Sequence, residues 1–287
     1  MPFVSPKVLC RRLGLKPKKS LGQHFLLHPD QARRIVAALE LEGRPETVVE
    51  IGAGLGALTV FLAEAAAQVF AVEMDVRLAQ GLSSEVLADA ANVTVITQNV
   101  LHFDFIGLSE NIGHRLDVIG NLPYQITSPL LFKLIAEKRA LHTMVFMVQQ
   151  EVGQRLLAQP GSKDYGILSV LIQYHTRLER LFSLGPNNFY PPPKVDSLVI
   201  RLRPDGETIR ADDEAYLVQV VKIAFSQRRK TLKNTLATQA AELRSTPEQV
   251  LAILEQSAID PKRRAETLGV ADFVRLSNAI RRAAELG

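Results

Sequence analysis

Val48-Val49-Glu50-Ile51-Gly52-Ala53-Gly54-Leu55-Gly56 is the stretch that decides the fold. An apolar run of strand character ends in three glycines at alternate positions, and a helical pattern begins near Leu58. Glycine lets the backbone turn sharply and approach a ligand closely. A glycine-rich loop that opens a helix is a weak signal alone: Gly52-x-Gly54-x-x-Ala57 also passes for a dinucleotide fingerprint, and a tight structural turn explains it equally. Two carboxylates narrow the reading. Glu73 stands 21 residues after Gly52, at the end of the next apolar run, where a carboxylate can accept both hydroxyls of a ribose. Glu50 places negative charge beside the loop, which suits a cation and repels a pyrophosphate. A phosphate-free nucleoside carrying an ammonium and a sulfonium, S-adenosyl-L-methionine, meets both conditions. Taken singly, Glu50 reads as a solvated strand-end charge and Glu73 as a loop cap; together those readings weaken.

Outward from this loop, strand-like and helix-like segments alternate. Thr47–Ile51, Val69–Val72, Val93–Thr97, Leu116–Gly120 and Thr143–Val148 read as strands; Leu58–Ala67, Arg77–Leu87 and Ser128–Glu137 read as helices. Such alternation predicts an α/β, doubly wound, mostly parallel sheet. Tyr165–His175 looks helical, and Arg177–Leu184 and Leu198–Arg203 look like two further strands. Beyond the turn signal Pro204-Asp205-Gly206 only helical patterns follow: Glu214–Phe225, Lys230–Glu242, Pro247–Gln256 and Val270–Glu285. Thr246-Pro247 has the form of an N-cap followed by proline at the first helical position. The expected domains are therefore 1–206, α/β with a basic N-terminal arm, and 207–287, helical.

Composition excludes several classes. The chain has 287 residues, 47% of them hydrophobic and 22% charged, which is globular rather than disordered. One cysteine rules out an intramolecular disulfide framework and a cysteine-rich zinc module, and fits a reducing compartment. No apolar run reaches the roughly 18 residues of a spanning helix, and Met1 to Lys19 lacks the apolar core of a secretory signal. Pro2, Pro6 and Pro17 interrupt the amphipathic helix of a transit peptide. A cytoplasmic protein with no membrane association is expected. The net charge of +4 is uneven: +5 over residues 1–30, −3 over 31–205 and +2 over 206–287. A polyanion held at both ends would account for that, as would solvated termini.

A second motif closes the fourth strand. In Asn121-Leu122-Pro123-Tyr124 the Asn121 amide oxygen and a Leu122–Pro123 carbonyl can accept from the two N–H groups of an exocyclic adenine amine. That favours a pyramidal nitrogen with an exposed lone pair. Pro123 stiffens the loop, and Tyr124 offers a stacking face worth about 1–3 kcal/mol per base. In Asn188-Phe189-Tyr190-Pro191-Pro192-Pro193, Phe189 or Tyr190 can close the other face of an extruded base. Each motif alone also reads as a proline turn with a core aromatic.

Lys19-Ser20-Leu21-Gly22-Gln23-His24-Phe25-Leu26, Glu50-Ile51-Gly52-Ala53-Gly54, Asn121-Leu122-Pro123-Tyr124, Phe189-Tyr190-Pro191-Pro192-Pro193-Lys194-Val195-Asp196-Ser197 and Gln227-Arg228-Arg229-Lys230-Thr231-Leu232 follow one another in an order that resembles the KsgA/RsmA family of ribosomal small-subunit RNA adenine N6-dimethyltransferases. The resemblance implies a Rossmann-like methyltransferase domain with a helical C-terminal domain. It implies dimethylation of two adjacent adenines near the 3′ end of 16S rRNA, with S-adenosyl-L-methionine as cofactor and the small ribosomal subunit as partner. By motif position it places Gln23, His24, Leu26, Glu50, Gly52, Gly54, Glu73, Asn99 and Asn121 at the cofactor. Asn121, Leu122, Pro123, Tyr124 and Phe189 fall at the target base. Two positions depart from the family pattern: His24 stands where asparagine is usual, and Asn99 where aspartate is usual. The loss of charge at Asn99 predicts weaker cofactor binding.

Arg228, Arg229, Lys230 and Lys233 are expected to open a helix whose basic face binds RNA phosphates, with Lys16, Lys18 and Lys19 extending the track. Arg281-Arg282 reads as a solvated face, and Lys262, Arg263 and Arg264 are left open. His24 and His28 have i,i+4 spacing, but Pro29 and a missing third ligand argue for no metal. A monomer is expected. Two rival functions remain: an adenine methyltransferase on another nucleic acid, and a non-catalytic RNA-binding assembly factor, against which the intact Asn121–Tyr124 motif argues.

Overall fold

A computed structural model describes residues 3–18, 21–41, 46–123, 125–204 and 209–286. In chain order the first unit holds α1 (Pro6–Arg12), β1 (Phe25–Leu26), α2 (Pro29–Ala37), β2 (Thr47–Ile51), α3 (Thr59–Ala65), β3 (Gln68–Glu73), α4 (Val76–Gly81), β4 (Val93–Thr97), α5 (Phe105–Ile112), β5 (Leu116–Asn121), α6 (Thr127–Ala136) and β6 (Leu141–Gln149). After α7 (Gln150–Leu157) and α8 (Ile167–His175) come β7 (Arg177–Leu184), β8 (Phe189–Tyr190) and β9 (Ser197–Arg203).

Seven strands form one sheet in the order β4-β3-β2-β5-β6-β9-β7. The first five are parallel, and β9 runs antiparallel to both β6 and β7. All five positions of β2 are buried, as a strand covered on both faces requires. The strand order reverses at β2, which has β3 on one side and β5 on the other, so a crevice opens above their C-terminal ends. Gly120 makes that junction possible. It pairs with Ile51, and a Cβ there would lie 2.5 Å from the Ile51 carbonyl oxygen. The main core of this unit packs α2 and α3 against the sheet through Ile35, Leu39, Leu62, Val48 and Val145. The expected α/β, Rossmann-like sheet is thus present.

Several elements differ from the sequence reading. The helix expected over Arg77–Leu87 is α4 followed by one π turn, Leu82–Val86, and its start is capped by the Asp75 carboxylate, which accepts from Arg77 N–H at 3.1 Å. The basic N-terminal arm is not a loose strand of charge. Pro6 opens α1, which buries Leu9 and Cys10 with Phe25, Leu55 and Leu78 and turns Lys7, Arg11 and Arg12 to solvent. β1 and β8 pair antiparallel, Phe25 with Tyr190 and Leu26 with Phe189; two-residue strands leave no periodicity to read.

The second unit takes residues 154–176 with 209–286. The expected boundary at 206 falls outside the described residues, and the division corrects the assignment of Tyr165–His175 to the α/β domain. Val170, Leu171 and Tyr174 of α8 pack among Leu217, Val221 and Phe273, so this helix shares the core of the C-terminal helices. Those are α9 (Glu214–Ala224), α10 (Leu232–Thr238), α11 (Pro247–Gln256) and α12 (Val270–Leu286). At α11 the Thr246 hydroxyl accepts from Gln249 N–H while the Gln249 side chain accepts from Thr246 N–H, the capping box that Thr246-Pro247 announces. Among the described residues no helix is long and apolar enough to cross a membrane.

Candidate active site

A cavity of about 270 Å³ lies above the C-terminal ends of β2, β3 and β5, closed on one side by residues 21–25. Of the residues singled out by the sequence, Gln23, His24, Gly52, Gly54, Glu73, Asn99, Asn121 and Pro123 line it. Leu26, Glu50, Leu122 and Phe189 do not, and Tyr124 lies outside the described residues. Leu26 and Phe189 are 2% exposed and pack in the core with Val145 and Val199, so Phe189 does not present a free face to a base. Its neighbour Tyr190 is half-buried beside Phe25.

The glycine loop is held by its backbone. Gly52 and Ala53 donate to the Val72 carbonyl at 2.8 and 3.3 Å. Gly52 and Gly54 have φ of +70° and +58°, the left-handed region that favours glycine. A Cβ on Gly54 would also press on the Phe25 ring at 3.0 Å. Glu73 ties this loop to the end of β3. One carboxylate oxygen accepts from Gly54 N–H and the other from Asp75 N–H, each at 2.8 Å. Burial pushes the Glu73 carboxyl up, against the pull of these N–H groups. Lone pairs remain on both oxygens for a ribose.

Glu50 departs from its expected role. It is 2% exposed, sits beneath the loop rather than at its surface, and meets the Thr59 hydroxyl at 2.6 Å. Burial pushes it up to about 8; the Thr59 hydrogen bond works against the rise and the Glu73 charge adds to it. At neutral pH its carboxyl is mostly protonated, so the fixed negative charge expected there is a neutral reserve.

Asn121 ends β5. One N–H of its Nδ2 donates to the His24 carbonyl at 2.8 Å, which orients the amide and leaves Oδ1 as its acceptor for a target. The His24 ring Nδ1 lies 2.6 Å from the Pro191 carbonyl oxygen. Leu122 N–H is anchored to the Met147 carbonyl at 3.0 Å. The Pro123 carbonyl accepts from Ile126 N–H and the Thr127 hydroxyl, each at 3.1 Å. Of the two backbone acceptors considered for the amine, the Pro123 carbonyl is therefore committed to the turn.

Asn99 caps the short turn Val100–His102, its Oδ1 accepting from Leu101 N–H at 3.0 Å. An aspartate would cap with one oxygen and offer the second to the cavity; asparagine offers an N–H₂ group there instead. Sequence reasoning missed Asp75, which fastens the N-terminal segment. Lys18 Nζ is 2.7 Å from its carboxylate and Gln23 Nε2 donates to it at 3.4 Å, while Gln23 Oε1 accepts from Lys18 N–H at 2.7 Å. Burial pushes Asp75 up, but Lys18 with the Arg77 N–H and Gln23 outweighs it and holds the carboxyl below its ordinary value. Gln23 is thus a latch as well as a lining residue. The signal was Asp75 standing directly before a helix start.

The basic run lies in the helical unit and differs from the expected helix face. Arg228, Arg229 and Lys230 occupy the turn between α9 and α10, and α10 begins only at Leu232, so Arg229 and Lys233 are not neighbours on one helix. Arg228 Nε is 3.1 Å from Glu266, and Arg228 also donates to the Lys163 carbonyl. Leu232 N–H donates to the Arg263 carbonyl at 2.8 Å and Lys233 N–H to the Pro261 carbonyl at 3.0 Å. These bonds bring the exposed Lys262 and Arg264 to the exposed Arg229, Lys230 and Lys233.

The family model "Ribosomal RNA adenine dimethylase" matches residues 14–281. The chain belongs to the ribosomal RNA adenine dimethylase family. It is an enzyme, an rRNA adenine N6-dimethyltransferase that uses S-adenosylmethionine. Ribosomal RNA small subunit methyltransferase A of Bacillus mycoides (strain KBAB4) is 44% identical over 279 residues, covering 96% of this chain and 94% of the relative; that of Bacillus anthracis (strain A0248) gives the same figures. A dimethyladenosine transferase from Plasmodium falciparum, 25% identical, superposes with a TM-score of 0.75 over 88% of this chain and 96% of that one. The 23S rRNA methyltransferase ErmE, 24% identical with a TM-score of 0.67 over 89% of this chain and 99% of that one, shares the fold. The cavity suits the family's cofactor. No lysine or arginine is among its described lining residues, and the buried Glu73 carboxyl stands at its wall with lone pairs for ribose hydroxyls.

Proposed function

We propose that this enzyme dimethylates N6 of two adjacent adenines near the 3′ end of 16S rRNA during assembly of the small ribosomal subunit, as a monomer in the cytoplasm. One observation carries the reading. Asn121 lines the cavity with its amide oriented by one N–H bond to the His24 carbonyl, so its Oδ1 acceptor is available to an incoming amine.

Glu73 would hold the ribose, the Gly52–Gly54 bend the methionine part, and Met74, Leu78 and Val100 the faces of the cofactor adenine. When bound, S-adenosylmethionine supplies a methyl group activated by its sulfonium. The chain's own task is then positioning. Asn121 Oδ1 and the Leu122 carbonyl accept the two N–H groups of the target amine and draw its lone pair out of the ring. Well-aligned reactants gain up to about 7–11 kcal/mol from orientation, whereas each neutral hydrogen bond adds only about 1 kcal/mol. Asn121→Ala therefore lowers turnover and leaves RNA affinity nearly intact. Arg229, Lys230 and Lys233, with Lys262 and Arg264, offer a cationic surface for phosphates, while base extrusion and rRNA shape supply selectivity.

The test is incubation with tritiated cofactor and undermethylated small subunits, followed by nucleoside analysis. Labelled dimethyladenosine from two positions is expected. Subunits that bind the protein yet stay unlabelled would favour a non-catalytic assembly factor, and label in naked duplex DNA would point to another nucleic acid.

A further inference from the structure

Two segments that line the cavity and the neighbouring Pro191 segment are joined through one residue. The His24 backbone carbonyl takes the Asn121 amide, and the His24 ring reaches the Pro191 carbonyl. A carbonyl only accepts, so Nδ1 must carry the proton in this contact. The pairing of Phe25 with Tyr190 holds the same two segments in register beside it. His24 thus ties the amide of Asn121 to the Tyr190–Pro191 segment, by its backbone on one side and its ring on the other, next to the strand pair that holds their register.

That tie matters unequally for the two methyl transfers. An unmodified adenine amine has two N–H groups and can be held by two acceptors, so a small error in one is compensated by the other. A monomethylated amine has one N–H left, and a methyl group that must fit between the walls. The geometry points to His24 as a positioning residue for the second transfer: it fixes Asn121 against the Pro191 segment so that the monomethylated amine is still aligned. This inference rests on the dimethyltransferase reading.

An asparagine side chain carries its N–H₂ group as many bonds from Cα as the histidine Nδ1, so His24→Asn can keep the contact to Pro191. His24→Leu fills similar space without a donor. The experiment compares wild type, His24→Asn and His24→Leu on undermethylated small subunits, and measures the ratio of monomethyladenosine to dimethyladenosine at equal total methyl incorporated. His24→Leu is expected to raise that ratio about fivefold, the effect of losing one neutral hydrogen bond, and His24→Asn to stay within about twofold of wild type. General loss of fold slows both transfers and leaves the ratio unchanged. A His24→Leu ratio equal to that of wild type, or an Asn ratio shifted as far as the Leu ratio, overturns the inference. If His24→Leu does not fold, the Asn ratio still decides, together with nitrogen NMR of wild-type His24. A protonated Nδ1 supports the contact and an unprotonated one overturns it. Wild type that forms no dimethyladenosine sinks the proposed function itself, whereas normal dimethylation with unmoved ratios sinks only the role of His24.

Discussion

Replacing Glu50 with glutamine tests whether the carboxyl beneath the glycine loop is a neutral reserve. Burial, opposed by the Thr59 hydroxyl and reinforced by Glu73, moves it from an ordinary 4.5 to about 8. Across that window the folded protein keeps a proton that the unfolded chain has released. Cofactor-free stability from this group is therefore full below pH 4.5, falls as pH rises, and is gone above about 8. The whole span corresponds to about 5 kcal/mol, at about 1.4 kcal/mol per pH unit. Glutamine still accepts from the Thr59 hydroxyl but has no proton to lose. Glu50→Gln should match wild type near pH 4.5 and exceed it by up to about 5 kcal/mol at pH 8 and above. Glu73, raised by burial as well, gives a slope of the same sign in both proteins and cancels from the comparison.

Urea unfolding at several pH values between 4.5 and 8.5, without ligand, measures the gap. A gap that does not widen with pH would refute the reasoning. The cofactor provides a second arm. A bound sulfonium draws the Glu50 proton out, so S-adenosylmethionine should release more protons on binding than S-adenosylhomocysteine, which lacks that charge. Calorimetry in buffers of different ionisation enthalpy counts them. Equal release by both ligands in wild type, or an unequal release that survives in Glu50→Gln, would contradict a titrating Glu50.

Three other perturbations follow from the geometry. Asn99→Asp keeps the cap on Leu101 and adds a charged acceptor to the cavity wall; the difference between charged and neutral hydrogen bonds, about 1 kcal/mol, should tighten S-adenosylhomocysteine roughly fivefold in calorimetry. Gly120→Ala forces a Cβ to within 2.5 Å of the Ile51 carbonyl; parting β2 from β5 should cost about 1–3 kcal/mol in thermal unfolding, and cofactor affinity should fall with it. Lys230→Ala should weaken RNA binding at all sequences and reduce the salt dependence by roughly 0.7 for one lost phosphate, whereas Arg228→Ala, which frees Glu266 and the Lys163 carbonyl, should lower melting temperature with little change in that slope.

The parts legible in the sequence were those written in local pattern. β2 shows as a short apolar run interrupted by Glu50 and ended by glycines, α11 begins at Thr246-Pro247 as its cap residues announce, and the sheet's five parallel strands alternate with helices. The long-range parts were not legible, because nothing adjacent in the chain reports them. α8 precedes β7 in the chain yet belongs to the C-terminal core through Val170, Leu171 and Tyr174. Glu50 reads as a charge beside a loop, and only its burial against Thr59 shows that it is held neutral. Arg228 reads as an RNA contact because its neighbours are basic, yet its partners, Glu266 and the Lys163 carbonyl, lie far away in the chain. Phe189 carries the family motif, but pairing of β8 with β1 turns it into the core.

The same contrast explains how such a site survives extensive change of sequence. Its frame is made largely of backbone bonds: Gly52 and Ala53 to Val72, Leu122 to Met147, and the strand register itself. These do not depend on side-chain identity, so a relative 44% identical can keep them. The few side chains that bridge separate segments have no such freedom. Glu73 must reach both Gly54 and Asp75, Asp75 must reach both Lys18 and the start of α4, and Asn121 must reach His24 with one end of its amide while presenting the other. Shortening any of them leaves a polar group facing an apolar gap and lets a wall of the cavity move. Since the rate depends on alignment rather than on a reactive side chain, movement of a few tenths of an ångström registers first in turnover and only later in stability.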